Sequence, residues 1–283
     1  MKNLIIVLIS LLFFQNSIGQ SAWNLEKDSW YTQLNYTRIG PYSELFIDGG
    51  KTETTPREIE DNTFQLYAEY GLNSKTTLSA SLPIKLIKTG AQTTAATPII
   101  NANSVTSLGN IGFGVKRNLI NKNFLLSTGV IVEANTGSYD DASGIRTGYD
   151  TWTFTPGAYF GKSYNNLFLQ ANVGVGFRTN NYSDFFRGGA EVGYKFLKRI
   201  WAIFYLDYKK SFYNGTVSIP VNNESTSLYV DNKEYVGYGL KAIYELTNQL
   251  GITAGFGGAF SANAEARAAA LNVGLFMKID PKK

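Results

Sequence analysis

The sequence predicts an all-β fold: a transmembrane antiparallel up-and-down β-barrel of about 12 strands, with short periplasmic turns and longer external loops. Three observations predict it. Segments of about 10 residues alternate apolar and polar side chains along most of the chain. These segments are roughly twice as long as soluble strands and suit a tilted bilayer crossing. The connections between them alternate short and long, as expected at the two ends of an outer-membrane barrel.

The clearest example is the hairpin over residues 62–86, which breaks at residues 71–75. Successive strand side chains point to opposite faces, so each arm has one apolar and one polar face. We expect the apolar face to contact lipid and the polar face to line the interior. The apolar parity consists of Phe64, Leu66, Ala68 and Tyr70, then Leu78, Ala80, Leu82, Ile84 and Leu86.

The remaining strands are predicted in order from the same alternation. The first, with Trp30, Leu34 and Tyr36 on one parity, precedes a polar segment expected to be a loop at 40–61. Another loop is expected at 88–107. Strand nine has apolar side chains on both parities, so the sequence does not assign which parity faces outward. Besides the hairpin, the predicted strands cover residues 30–39, 108–118, 124–135, 151–161, 167–178, 186–196, 200–210, 236–245, 250–260 and 268–279.

The composition narrows the class of protein. The 283 residues are 44% hydrophobic and 17% charged, with 18 Tyr and 18 Phe, which argues against disorder. No apolar run after the N-terminus reaches the roughly 18 residues of a membrane-spanning helix. The net charge of +4 comes from scattered Lys and Arg, so nothing indicates nucleic-acid binding. A secreted β-sandwich or lipocalin-like barrel is the soluble alternative, although so little surface charge would be unusual for it.

The chain has no Cys and no His. Disulfides, thiolate nucleophiles and Cys-based metal sites are therefore excluded. The phospholipase, protease and palmitoyl-transferase types of barrel enzyme each use a histidine, so their mechanisms are excluded too. We expect no enzyme activity, no cofactor and no metal. The adjacent acids Asp140 and Asp141 are better explained as a solvated loop than as a catalytic pair.

The N-terminus is typical of a secretory signal peptide. Met1, Lys2 and Asn3 precede an apolar core at 4–14, and small residues end at Gly19. The core is too short to span a bilayer comfortably. We predict a signal peptide over residues 1–19, cleaved near Gly19-Gln20, and a single barrel domain over 20–283.

Ionisable side chains recur on the inward parity. They either line a pore and set its ion and solute preference, or form a salt-bridged plug that stabilises the wall. Arg178 and Arg187 flank one short external loop, so they predict a preference for anionic solutes near the outer mouth. The pore-lining candidates are Glu69, Lys85, Lys116, Glu133, Arg178, Arg187, Glu191, Lys195, Lys241 and Glu245.

Strand number sets the width of the interior. Eight strands are just filled by side chains, so twelve should leave a narrow passage unless a loop folds in. No segment has the pattern of a separate plug domain. Aromatic residues cluster at both ends of the outward parity, which favours girdles at the two membrane interfaces.

Four segments carry a resemblance to a known family: YGLNSKTTLSASLP (70–83), SLGNIGFGVK (107–116), TPGAYFGKS (155–163) and GGAEVGYKF (188–196). The sequence resembles outer-membrane proteins of the "MetA-pathway of phenol degradation" type. It departs from them at 132–137, where the family tends to have a Lys-Leu-Pro-Thr-Gly-like stretch. The resemblance implies an outer-membrane barrel that passes small, often hydrophobic or aromatic, compounds, and it brings no catalytic residues.

The sequence therefore predicts a passive channel for small solutes in the outer membrane of a Gram-negative bacterium. A structural or adhesive barrel acting through its external loops is one alternative, and a lipid-modifying enzyme of another mechanism is a second. Expected partners are outer-membrane lipid, a small-molecule solute and the barrel-assembly machinery during insertion. No nucleic acid is expected, and the oligomeric state stays open.

Overall fold

The computed structural model describes residues 21–93 and 100–281. The predicted signal peptide at 1–19 and the middle of the predicted loop at 88–107 lie outside these residues. The elements in chain order are β1 (Trp30–Ile47), β2 (Lys51–Asn73), β3 (Thr76–Thr89), β4 (Asn103–Leu108), β5 (Gly112–Asn121), β6 (Leu125–Glu133), β7 (Tyr139–Asp140), β8 (Ile145–Arg146), β9 (Thr153–Tyr164), β10 (Leu167–Arg178), β11 (Phe185–Phe196), β12 (Ile200–Ser211), α1 (Val221–Glu224), β13 (Glu234–Glu245), β14 (Leu250–Asn263), β15 (Glu265–Ala266) and β16 (Ala270–Ile279).

The sheet closes on itself. β1 pairs antiparallel with β2 on one side and with β16 on the other, so Trp30 lies opposite both Tyr70 and Ile279. β4 and β5 share one position beside β3, and β15 and β16 share one position beside β1. Within the described residues, the wall therefore has twelve positions, all antiparallel, which confirms the predicted barrel. Closure leaves no unpaired strand edge in contact with hydrocarbon.

The two ends of the barrel differ in their connections. The turn end has the short connections 74–75, 122–124, 165–166, 197–199 and 246–249. The first residue of β1 and the last residue of β16 also lie at this end. The loop end has the longer connections, including 134–152 and 212–233. These are the short turns and longer loops that the sequence predicted.

The outer surface is apolar along the strands. In β2, Phe64 and Leu66 are exposed while Tyr67 and Glu69, on the other parity, are buried inside. So much exposed apolar surface is what lipid contact requires. Aromatic pairs lie at both ends of this belt, with Trp30 and Tyr70 at 4.6 Å between ring centroids at the turn end. No helix in the described ranges is long and apolar enough to cross a membrane.

Two predicted loops differ from the structure: the loop at 88–107 is shorter than predicted, because residues 103–107 pair with β3 as part of β4, and the loop at 40–61 is wrong. Residues 40–61 continue β1 to Ile47 and start β2 at Lys51, so the hairpin extends past the belt to a turn at 48–50. Most side chains from 51 to 58 are exposed, which made the segment look like a loop. Tyr42 and Ile59 nevertheless face inward and pack on the loops that fill the barrel.

The structure also decides the faces of β12. Phe204 and Leu206 point outward, whereas Ile203, Tyr205 and Lys209 point inward. Tyr205 lies opposite Gly239, and a Cβ at Gly239 would be 2.3 Å from the Tyr205 ring. The absence of a side chain at Gly239 therefore lets the bulky ring turn into the lumen.

Candidate functional site: the barrel lumen

All ten pore-lining candidates lie on the inner side of the wall, in two groups. The group near the turn end consists of Glu69, Lys116, Glu191, Lys195, Lys241 and Glu245. The group near the loop end consists of Lys85, Glu133, Arg178 and Arg187. Their inward direction follows from the strand parity. That they line a pore stays a prediction.

Four members of the turn-end group, Lys195, Glu245, Lys241 and Glu191, form ion pairs. Lys195 Nζ lies 2.7 Å from Glu245 Oε2, and Lys278 approaches the same carboxylate at 3.8 Å. Lys241 Nζ lies 3.6 Å from Glu191, whose other oxygen accepts a 2.7 Å hydrogen bond from Gln170. Charges inside a barrel must pair or touch water, and these pairs each reach over one intervening strand, from β11 to β13 and from β16 to β13.

Residues 21–29, here called the N-terminal segment, lie inside the turn end. The Lys116 ammonium donates hydrogen bonds to the carbonyl oxygens of Ser21 and Trp23, the latter at 2.7 Å. Ser127 Oγ donates to the Ala22 carbonyl at 3.0 Å. Lys116 is thus an anchor for the N-terminal segment, which the sequence did not reveal.

Further contacts hold the rest of the N-terminal segment. The Leu25 amide donates to Thr77 Oγ1 at 3.0 Å, and the Trp23 ring meets Phe168 edge-on at 5.9 Å between centroids. A Cβ at Gly71 would lie 1.8 Å from the Glu26 carbonyl oxygen. Only glycine at 71 leaves room for the segment to pass this closely. The turn end of the lumen is therefore occupied by the chain itself.

The loop end is filled by two connections, 134–152 with its β7–β8 ribbon and 212–233 with α1. They are tied to each other, because Arg146 Nε donates to Asn223 Oδ1 at 2.9 Å. The 134–152 connection is also tied to the wall, because Arg57 of β2 donates a hydrogen bond to the Ser143 carbonyl oxygen. The sequence has no segment with the pattern of a plug domain, yet these two loops together fill the loop end of the lumen as a plug domain would.

The filled loop end has an apolar core. Ile145 from the ribbon and Leu228 from the second loop pack against inward residues of the wall such as Ile39, Ile59 and Ile87. Burial of these side chains holds the loops inward. Single apolar residues in otherwise polar loops have no periodicity, so the sequence could not predict this packing.

Asp140 and Asp141 do not form an acid pair. Asp140 accepts hydrogen bonds from the hydroxyl and amide of Ser143 and from Asn103 at 3.0 Å. The Ser143 hydroxyl, with help from Asn103, lowers the pKa of Asp140. Asp141 accepts from the Tyr139 hydroxyl instead. Within residues 21–93 and 100–281, no group of three or more Asp or Glu side chains is placed to hold a metal ion.

Between the N-terminal segment and the inward loops lies a cavity of about 120 Å³. Three of the predicted residues, Glu133, Arg178 and Arg187, meet on its wall. Lys85 lies nearby, bound to Asp61 at 2.8 Å. The other six predicted residues do not line this cavity.

The sequence missed two important residues of the cavity wall, Lys209 and Tyr149. Lys209 was hidden because both parities of β12 are apolar, although the ionisable pair Asp207 and Lys209, two residues apart, could have indicated the inner face. Tyr149 comes from a loop, for which side-chain direction has no sequence signal.

The chain was compared with models of known protein families. The model of the family described as "Putative MetA-pathway of phenol degradation" matches residues 52–276. The chain belongs to this family. The resemblance found in the four sequence segments is thereby confirmed, and it extends over nearly the whole barrel. No curated protein sequence matches the chain significantly.

Solved structures agree with the fold. An outer membrane channel from Pseudomonas putida F1 is similar with a TM-score of 0.73 at 13% identity, over 94% of this chain and 100% of that one. The β domain of the Bordetella autotransporter BrkA is similar with a TM-score of 0.50 at 11% identity, over 89% of this chain and 100% of that one. At such identities the likeness establishes the outer-membrane barrel fold alone.

Proposed function

We propose that the protein is an outer-membrane channel for the passive passage of small solutes, with hydrophobic, aromatic or anionic compounds as the solute class. The observation that carries the proposal is the cavity of about 120 Å³, lined by charged and aromatic side chains, inside a closed barrel with a lipid-facing surface. The similar fold of the Pseudomonas putida F1 outer membrane channel supports it.

The obstructions on either side of the cavity are consistent with regulated passage. Both consist of chain segments held by hydrogen bonds and packing, with no covalent tie, since the chain has no Cys. Each could move out of the lumen while the wall stays intact. The inward direction of the two large loops also counts against the adhesive alternative, because it leaves less chain for contact with an external partner.

Flux into liposomes tests the proposal. Protein refolded with a heat-dependent gel shift is inserted into vesicles, and swelling is followed with neutral and anionic solutes of graded size. We expect swelling that falls steeply with solute size, and small conductance steps in planar bilayers. Vesicles containing folded protein that swell no faster than empty ones, with no conductance, would overturn the proposal and favour a structural role.

The location belongs to the same proposal. The outer membrane of a Gram-negative bacterium fits the lipid-facing belt, with the signal peptide at 1–19 directing export and the barrel-assembly machinery inserting the chain. Membrane fractionation together with N-terminal sequencing of the mature protein tests this. Recovery of the uncleaved chain from the inner membrane would contradict it.

A further inference from the structure

We propose that the cavity is a binding site for a small organic anion, whose carboxylate lies between Arg178 and Lys209. The inference rests on the proposed channel function and names one solute class that the lumen recognises. It assigns the site to two side chains from different strands, of which Lys209 carried no functional prediction.

The two cations share the same aromatic surroundings. The Arg178 guanidinium carbon lies 4.1 Å from the centre of the Tyr149 ring and 4.6 Å from that of Phe185. Lys209 Nζ lies 5.1 Å and 4.7 Å from the same two centres. Cations are attracted to ring faces, so the rings hold both charges beside the cavity.

Among the described residues, neither cation donates a hydrogen bond to a carboxylate. The Arg178 side chain is 4% exposed, and its nearest carboxylate oxygen in residues 21–93 and 100–281, on Asp231, is 3.9 Å away. Its Nε has no hydrogen-bond partner among the same residues. In the described part of the chain, Lys209 has no carboxylate oxygen within 4.0 Å, and its ammonium donates one 3.3 Å hydrogen bond to Tyr149. Two buried like charges destabilise each other, and a bound anion would relieve this.

The acids of the cavity wall are engaged elsewhere. Asp61 binds Lys85 at 2.8 Å, and Glu265 binds Lys233 at 3.0 Å. Glu133 and Asp207 attract Arg187. Lys209, and Arg178 with only its long 3.9 Å pair to Asp231, are therefore the cations of the described wall that are best placed to meet an incoming anion. The planar guanidinium fork of arginine matches the geometry of a carboxylate.

The rest of the cavity suits a flat apolar body. Tyr149 and Phe185 supply ring faces, and the volume of about 120 Å³ is comparable to the roughly 150 Å³ cavity that binds benzene in another protein. A carboxylate on a single ring therefore fits both the charge and the size of the site. Benzoate is the probe of choice, and benzyl alcohol and benzylamine are its neutral and cationic counterparts.

Binding is measured by calorimetry on the whole folded protein in detergent. We expect benzoate to bind, benzylamine not to bind and benzyl alcohol to bind at least tenfold more weakly than benzoate. Lys209→Gln and Arg178→Gln should each weaken benzoate binding at least tenfold. Lys122→Gln, in an exposed turn at the other end of the barrel, removes the same charge and should leave benzoate binding unchanged.

The heat-dependent gel shift confirms that each variant is folded, and if Arg178→Gln does not fold, Lys209→Gln decides. No benzoate binding to the wild type, equal binding of benzyl alcohol, or equal benzoate affinity in Lys209→Gln and Lys122→Gln would each overturn the site. Liposome swelling without benzoate binding would reject the site and leave the channel standing. Benzoate binding without swelling would reject the channel alone.

Discussion

The ion pair between Lys85 and Asp61 shows how single residues stabilise charge inside the barrel. Lys85 Nζ lies 2.8 Å from Asp61 and also donates to Thr63 at 2.8 Å, and the two charged side chains are 1% and 6% exposed. Such a pair is weak evidence for stability as a whole, but losing one partner leaves the other charge buried and unpaired.

We therefore expect Asp61→Asn to lower the free energy of unfolding by about 3 kcal/mol. The matched control is Asp48→Asn, because Asp48 pairs with Lys51 at 3.4 Å in a fully solvated turn, and this change should cost less than about 0.5 kcal/mol. Urea unfolding in lipid vesicles, followed by tryptophan fluorescence, compares the two variants. If the two variants lose the same free energy of unfolding, the buried Lys85–Asp61 pair does not stabilise the barrel more than a solvated pair does.

Asp140 gives a pH dependence to the loop end. Hydrogen bonds from Ser143 and Asn103 lower its pKa, so its stabilising contribution is complete above the ordinary aspartate value and is lost as the pH falls through the lower folded value. We expect hydrogen exchange of residues 139–146 to accelerate in that acidic window. Asp140→Asn should accelerate exchange already at neutral pH, whereas Asp141→Asn should not. An unchanged exchange rate in Asp140→Asn would contradict the anchoring role.

At the scale of elements, the N-terminal segment is held chiefly by Lys116. Two hydrogen bonds from one ammonium to the Ser21 and Trp23 carbonyls fix the segment across the turn end. Hydrogen bonds to a charged donor contribute about 1.5–3 kcal/mol each. Lys116 of β5 therefore contributes a large part of the free energy that holds the segment, in addition to the contacts with Ser127 and Thr77.

Lys116→Gln is expected to raise the undocked fraction of the N-terminal segment about 30-fold, for a loss of ~2 kcal/mol. Larger or more frequent conductance steps in planar bilayers should report it. Arg117→Gln is the control, because Arg117 is the next residue and its side chain is exposed on the outer surface. If both variants conduct like the wild type, the segment does not restrict the lumen.

The two inward loops meet at a glycine. Gly144 has φ +66°, and a Cβ there would lie 1.9 Å from the carbonyl oxygen of Asn222 in the other loop. Gly49 has φ +71° in the β1–β2 turn, with no atom closer than 3.8 Å to a Cβ. Both positions need the positive φ that favours glycine, but only Gly144 is in close contact with a second loop.

Gly144→Ala should therefore separate the loops and increase conductance, whereas Gly49→Ala should cost only the backbone strain of about 1 kcal/mol and leave conductance unchanged. Single-channel recording on both variants distinguishes them. An unchanged Gly144→Ala channel would mean that the contact between the loops does not limit passage.

At the scale of the whole molecule, the direction in which each strand parity faces determines both the lipid-facing surface and the contents of the interior. The apolar parity faces outward around all twelve positions of the described wall, and the polar parity encloses charged side chains and chain segments. Lipid must cover the outer face, because such a belt in water would drive aggregation. The same orientation creates an interior wide enough for two plugs and a cavity.

Arginine scanning tests the lipid contact. Val273 on β16 is 55% exposed and Val221 in α1 is 59% exposed, so solvent exposure alone predicts the same tolerance. If lipid covers the belt, Val273→Arg should lower the free energy of unfolding by about 2–4 kcal/mol and Val221→Arg by less than about 0.5 kcal/mol. Unfolding in vesicles measures both. Equal tolerance would contradict a membrane-spanning β16.

Local alternation was enough to predict the closed barrel, its strand parity and its two kinds of connection. A strand in a bilayer has one face in lipid and one face away from it, so apolar residues such as Phe64 and Leu66 recur at every second position. For the same reason, strand parity was enough to predict the inward direction of Arg178, Arg187 and the other charged candidates.

Only the tertiary structure decided what fills the lumen. The N-terminal segment, the inward loops and the partners of Lys116, Lys209 and Tyr149 depend on contacts between residues 52 to 93 positions apart, many made by irregular backbone. Irregular backbone has no period from which a side-chain direction can be predicted. The sequence by itself therefore determined the wall, and the three-dimensional packing determined what the wall contains.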